Sequence, residues 1–402
     1  MRKHFSAALI CAFLLTGCTA VDDISQPITE TASITVTAVT TTVSETTVTE
    51  AEEKPWEYLL CGGEFSDYYD AAYAMLSEMS MEEKVGQLLL ARCPDNASEQ
   101  AEKFLLGGYV LFKRDVKDKT PDTLRDFIGG FQSVSDIPMI VAVDEEGGEI
   151  VRVSSLSAFR ETRFPSPSKA YKNGGFQGIY NDYSEKSAFL LDLGFNLNLA
   201  PVADVSVDPK DYIYNRTLGL PAEETAEYIT NAVTAAKAAG ISSCLKHFPG
   251  YGNNADTHTG SAIDERSSES FRSSDFLPFK AGIDAGAECV LVSHNIVKCF
   301  DSEKPASLSP EIHRILREEL SFSGIIMTDD LSMDAVSLFC TDSLPYAEAV
   351  NAGNDMLIVT EYEAAYNDIL SAAKNGEIAQ ETMDRAVMRI IAWKYAKGLL
   401  EQ

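Results

Sequence analysis

Positive charge is scarce in this chain. Its 402 residues hold 33 Lys and Arg against 61 Asp and Glu, a formal net charge of −28. A surface of that sign repels phosphate backbones and acidic headgroups, which argues against nucleic acid as a partner and against adhesion to anionic lipid. Metal-binding patterns are missing too. The eight cysteines show no CxxC or comparable spacing, so neither a metal nor another cofactor is expected. No disulfide is expected either, because Cys93, Cys244 and Cys289 lie in apolar, strand-like runs where a thiol is usually a small core residue. No GxGxxG or GxxxxGK(S/T) follows any apolar run, so the usual signatures of nucleotide-phosphate binding are absent. The apolar run near the N-terminus, from about Phe5 to Leu15, is too short to span a bilayer as a helix.

That run has a basic start, Arg2-Lys3-His4, and ends in Leu15-Thr16-Gly17-Cys18. It reads as a secretory signal, and its ending resembles the bacterial lipobox. The resemblance implies a signal peptide over residues 1–17 and a lipidated Cys18 that anchors the protein to the outer face of the bacterial cell membrane. Residues 18–55 are Thr-rich and acidic and contain no aromatic residue. Such a segment buries too little surface to offset its ordering entropy and is expected to be a disordered spacer. The folded domain is expected over residues 56–402.

Within it, short apolar runs alternate with helical patterns. The runs are 85–92, 108–113, 139–144, 195–204, 241–247, 288–294, 324–330 and 355–360. They are apolar along their length, as in parallel strands buried on both faces. Between them, residues 222–240 and 309–320 read as helices, the first stopped by Gly240 and the second started by Ser309-Pro310. Eight such βα units point to a single (β/α)8 barrel of the TIM type. A doubly wound open sheet is the alternative.

Several runs end in a polar residue: Asp144, Asp204, Lys246-His247, His294 and Asp329. In a barrel these ends converge on one mouth, where the chemistry sits. Asp144 precedes Gly147-Gly148, a pair that permits a sharp turn, and Arg152 can return toward it. A carboxylate beside a guanidinium suits a hydroxylated ligand. Glu145 reads as part of a solvated acidic turn. Lys246 can serve as a ligand contact or pair with a strand-end Asp, and His247 as a ligand contact or a hydrogen-bonded core histidine. Asp256, two residues before His258, can fix that ring's tautomer and raise its basicity, giving a general acid/base near neutral pH. Of the adjacent Asp329 and Asp330, the first is nearer the strand end and is taken as reactive, the second as the cap of the following turn. One attacking carboxylate and one proton-transferring His fit retaining glycoside cleavage.

Four ordered stretches, "VDEEGG" (143–148), "NLAPVADV" (198–205), "KHFPGYGNNADTH" (246–258) and "TDDLSM" (328–333), resemble glycoside hydrolase family 3. Within it they are similar to the bacterial β-N-acetylhexosaminidase branch. The resemblance covers roughly residues 73–395. It implies a metal-free barrel that removes terminal β-linked N-acetylglucosamine through a glycosyl-enzyme, in cell-wall or glycan breakdown. It further implies Asp329 as nucleophile, His258 as acid/base and Asp256 as its partner. Asp144, Arg152, Arg216, Lys246 and His247 would grip the terminal sugar, with His294 near it. The expected partner is the glycan, bound by a monomer. The chain beyond Asp329 is too short for a second domain carrying an acid/base Glu, which favours the His–Asp branch. The sequence departs from the family at Tyr251, at the second residue of "DEEGG", and in lacking a proline after the His loop. Two other functions remain open: a phosphorylase using the same site, since a histidine does not repel phosphate, and a surface lipoprotein that binds sugar without cutting it.

Overall fold

Eight apolar stretches become eight parallel strands: β1 (Leu89–Arg92), β2 (Gly108–Leu111), β3 (Ile140–Val143), β4 (Leu197–Asn198), β5 (Ser242–Phe248), β6 (Cys289–Val292), β7 (Ile325–Thr328) and β8 (Leu357–Val359). The computed structural model of the chain describes residues 54–60, 62–252, 262–340 and 343–401, all within one compact unit that runs Glu53–Gln402. The strand order is β8-β1-β2-β3-β4-β5-β6-β7, every neighbouring pair parallel. Between β7 and β8, Met327 bridges Met356 in parallel. Met356 N donates to Ile326 O at 3.1 Å and Thr328 N to Met356 O at 3.2 Å. The sheet therefore closes on itself. A doubly wound sheet would instead reverse its strand order at a switch point. Every residue of these eight strands is buried except Arg92, the last residue of β1, which is half-buried. Burial on both faces is why the sequence shows unbroken apolar runs rather than alternation.

Two strand boundaries differ from the sequence reading. Val85–Gln87 belong to the helix Met81–Gln87, not to β1. Ser80 caps that helix by accepting from Glu83 N, while the Glu83 carboxylate accepts from Ser80 N, and this capping box outweighs the apolar character of the run. In 195–204 only Leu197 and Asn198 join the ladder. Pro201 follows and has no N–H to offer; beyond it Val202 makes a single bridge to Lys246. The two expected helices are present. Ala222–Ala239 ends at Gly240, whose φ of 97° is left-handed, and Pro310–Arg314 starts at Ser309, whose side chain accepts from Ile312 N, then continues through a wider turn, Ile315–Glu319.

The N-terminal ends of the strands are sealed by the helix Gln380–Ala396. Its fully buried Trp393 donates from Nε1 to Ser242 Oγ at 3.0 Å. The next residue, Lys394, is also fully buried and donates to Gln87 Oε1 at 2.6 Å and to Gly107 O at 3.1 Å. No carboxylate pairs with it among the described residues, so burial pushes its ammonium down to about 7.

The sign of the resulting pH dependence follows. An unfolded lysine keeps its proton to about pH 10.4, so from about 7 upward the unfolded state binds more protons than the folded one. The burial penalty is fully present below that window and is relieved as pH rises through it, by up to about 1.4 kcal/mol per pH unit. Urea unfolding of the wild type and Lys394→Met, compared from about pH 7 to about pH 9.5, is expected to show the difference growing in favour of the wild type. A difference that does not change with pH contradicts this account.

Candidate active site

At the C-terminal end of the barrel lies a cavity of about 440 Å3. Its polar wall is built from strand ends. Asp144 follows β3, and Gly147, at φ 106°, turns the chain so tightly that a Cβ there would stand 2.0 Å from Pro165 O. Glu146 N and Gly147 N both donate to Ile150 O, at 3.0 and 3.2 Å, and the returning chain brings Arg152 NH2 to 3.3 Å from Asp144 Oδ2.

Glu145 corrects the sequence reading: it is not solvated but completely buried. Its carboxylate accepts from Arg152 N (3.0 Å), Val153 N (2.9 Å) and Ser154 N (3.3 Å), and from the Ser154 hydroxyl. Asn198 of β4 grips its backbone from the other side, accepting from Glu145 N at 3.1 Å and donating to Glu145 O at 3.2 Å. Glu145 thus holds the return loop that carries Arg152.

Lys246, on β5, stands between two carboxylates, 2.7 Å from Asp144 Oδ1 and 2.6 Å from Glu146 Oε1. Both roles considered for it are compatible here, since it is ion-paired and also lines the cavity. Arg216, in the short turn Tyr214–Arg216, donates from Nε and NH2 to the two Glu146 oxygens at 3.0 and 2.8 Å. The same NH2 lies 3.0 Å from His247 Nε2. A guanidinium has no acceptor, so Nε2 accepts and the ring hydrogen sits on Nδ1, which donates to Asp204 Oδ2 at 2.7 Å. Asp204 also takes His247 N at 3.0 Å and Tyr251 N at 2.7 Å.

Burial alone raises Asp144 and Glu146. The Lys246 and Arg152 charges outweigh it at Asp144, holding that carboxyl well below the usual range. Arg216 and then Lys246 do the same at Glu146, which is held at about 2. Burial lowers Lys246, but Asp144 and Glu146 more than offset it and its ammonium is raised. Asp144, Glu146 and Lys246 are therefore all charged across the neutral range.

Asp329 follows β7 on the facing wall. Its N donates to Val292 O at 3.0 Å, and its Oδ1 accepts from Asp330 N at 2.8 Å. Asp330 also borders the cavity, but its carboxylate is engaged by the neighbouring loops: it accepts from Ser332 N at 3.0 Å and from Thr360 Oγ1 at 2.6 Å. The structure thus brings Asp144, Arg152, Arg216, Lys246, His247 and Asp329 to one cavity. It does not bring His294 to that wall. His294 is 1% exposed, with Nδ1 at 2.7 Å from Ser307 Oγ and Nε2 at 3.1 Å from Asp330 O. It sits behind the Asp329–Asp330 peptide. Asp256 and His258 lie outside the described residues, as does Cys18. The chain on either side of the Asp256–His258 segment is held by one guanidinium, since Arg266 donates to Gly250 O (3.2 Å), Asp264 (2.7 Å) and Asp275 (2.8 Å). Among the described residues no cluster of three or more His, Cys, Asp or Glu could hold a metal ion.

One residue of this network, Glu146, escaped the sequence reading as a site residue, and Asp204 was read only as a polar strand end without a partner. The signal for Glu146 was arithmetical. Arg216 and Lys246, brought to a buried mouth, need more carboxylate than Asp144 supplies.

A (β/α)8 barrel with a carboxylate and a charged polar wall facing one another at its C-terminal mouth has the layout of a barrel enzyme. The chain belongs to glycosyl hydrolase family 3, whose N-terminal domain matches residues 80–393. It is 27% identical over 331 residues to beta-hexosaminidase A of Pseudoalteromonas piscicida, covering 75% of this chain and 55% of that protein, so it spans little more than half of this relative. It is 31% identical over 275 residues to the beta-hexosaminidase of Methylococcus capsulatus, covering 67% of this chain and 80% of the relative. The solved glycoside hydrolase family 3 beta-N-acetylglucosaminidase of Paenibacillus sp. FPU-7 superposes with a TM-score of 0.75 at 28% identity, covering 80% of this chain and 63% of that one.

The His294 geometry predicts a positioning effect. His294→Phe is expected to lower kcat about tenfold or more with KM little changed, and His294→Gln, which keeps an N–H donor, to recover part of the loss. Steady-state kinetics that instead show a rise in KM alone assign His294 to the sugar.

Proposed function

We propose that this chain is a retaining exo-β-N-acetylglucosaminidase. The observation that carries the reading is the Asp329 carboxylate facing the Asp144–Lys246–Glu146–Arg216–His247 network across one cavity in a family 3 chain whose relatives are beta-hexosaminidases. The charged wall suits a sugar's hydroxyls, which both donate and accept, and orients the terminal ring. An Asp329 oxygen then attacks the anomeric carbon. The bond to the glycosidic oxygen breaks with its electron pair, and His258, aimed by Asp256, gives that oxygen a proton. The glycosyl-enzyme forms with inverted configuration. A water molecule, its proton taken by His258, attacks the same carbon and releases Asp329, and the second inversion restores the original configuration. Preorganised charge on the network replaces the sugar's lost hydration.

We further assign residues 1–17 to a signal peptide, Cys18 to lipid attachment on the outer face of the membrane, and 18–55 to a spacer that lets the enzyme reach cell-wall or other glycans. In this reading Cys18→Ala moves the protein from the membrane fraction to the soluble one. A variant that stays membrane-bound argues against the anchor.

The catalytic test uses a chromogenic β-N-acetylglucosaminide. Wild type should hydrolyse it with retention, and Asp329→Asn should lose at least about a thousandfold in kcat while keeping its melting temperature. Full activity in that variant would falsify the nucleophile assignment. His258→Ala should lose about a hundredfold to ten-thousandfold on chitobiose and much less on a nitrophenyl glycoside, whose leaving group needs no proton. Equal losses on both substrates speak against an acid role.

A further inference from the structure

Four cationic side chains other than histidine line the cavity: Arg92, Arg152, Arg216 and Lys246. Three of them are committed to carboxylates, Arg152 to Asp144 at 3.3 Å, Arg216 to Glu146 at 2.8 Å, and Lys246 to both at 2.7 and 2.6 Å. Arg92 differs. Of the residues in the eight barrel strands it alone is not buried, it stands at the C-terminal end of β1, and no hydrogen bond or ion pair reaches its side chain among the described residues. Even its buried Nε lacks an acceptor. What holds it is a ring: its guanidinium lies 4.8 Å from the Phe112 centroid, and Arg152 lies 5.5 Å from the same ring. The carboxylate at that end of β2, Asp115, is occupied by Phe112 N at 2.7 Å and by Arg114 at 3.1 Å. A guanidinium stacked on a ring keeps its in-plane N–H donors available, in a fork that matches an oxyanion.

We infer that Arg92 and Phe112 form a subsite for an anionic group, a carboxylate or sulfate ester carried by the saccharide. The chain's net charge of −28 repels anions, so a charged substrate needs a local cation not already committed to a carboxylate, and among the described residues Arg92 supplies one. The anion belongs either to the terminal sugar or to the sugar that follows it. The inference rests on the glycosidase reading and deepens it by naming the substrate class.

Wild type and Arg92→Gln are compared on two matched pairs: an aryl β-N-acetylglucosaminide with its 6-sulfate, and chitobiose with its counterpart carrying a lactyl ether on the reducing sugar. The neutral member of each pair should keep its kcat/KM within about threefold. In one pair the charged member should fall about tenfold to a hundredfold, the scale of a charge-assisted hydrogen bond. The sulfate pair places the anion on the terminal sugar, the lactyl pair on the next. The wild-type preference for that charged member should also decline with added salt. Equal losses on charged and neutral members, or no loss on either, overturn the inference. Titration calorimetry of Asp329→Asn, with and without Arg92→Gln, reads the same contact without turnover. An enzyme that cleaves none of these compounds therefore refutes the hydrolase reading, while the binding difference still decides the role of Arg92.

Discussion

The mouth of this barrel depends on one ammonium group. Lys246 is nearly inaccessible, 3% exposed, and stands between Asp144 and Glu146. A charge taken out of water on its own is very costly, and removing one member of a buried pair typically costs about 3–5 kcal/mol, because the other is left uncompensated. Each group here is present on condition that its neighbours are. Lys246 makes it possible to bury two carboxylates on one loop. Glu146 in turn holds Arg216, Arg216 sets the His247 tautomer, and Asp204 completes the chain. The network joins the ends of β3 and β5 to the loop after β4, so it fixes a shape as well as a charge pattern. A wall of that kind is held in shape by its own charges with no ligand present, which is what an electrostatically preorganised site requires.

The two ends of the barrel use charge differently. At the N-terminal end charged groups are enclosed in the protein, ion-paired except for Lys394, which neutral oxygens hold. Asp355 takes Arg317 at 2.5 Å and Arg389 at 2.7 Å, and Glu288 takes Lys397 at 3.2 Å together with the Ser242 hydroxyl. At the C-terminal end the pairs border a cavity, and among the described residues Arg92 has no pair. Stability and chemistry are thus divided between opposite ends of the same strands, as is general for this architecture.

How much of this the sequence discloses depends on whether a feature is local. Strands buried on both faces appear as continuous apolar runs, and seven of the eight runs could be placed without knowing their neighbours. The run at 85–92 misled at its start because a capping box at Ser80 claims its first residues for a helix. β4 is shorter than its run because Pro201 interrupts the ladder. Asp144, Lys246, His247 and Asp329 were legible because position at a strand end is a local property. The distinction between Glu145 and Glu146 was not, since two identical neighbours are separated only by the positive φ at Gly147 and the return of Arg152. His294 also ends a strand, but Ser307 and the Asp330 carbonyl draw its ring behind the cavity, and both partners are distant in the chain. Arg92 gave no signal at all, because a side chain that finds no partner among the described residues can be recognised only after those residues have been placed in space.

Arg266 ties the backbone at Gly250 to Asp264 and Asp275. The described chain before and after residues 253–261 therefore has its ends fixed to one another. The entropic cost of closing a segment between fixed ends grows only slowly with its length. A change of sequence or length between those anchors therefore leaves the strands beneath undisturbed as long as the Arg266 tie is kept.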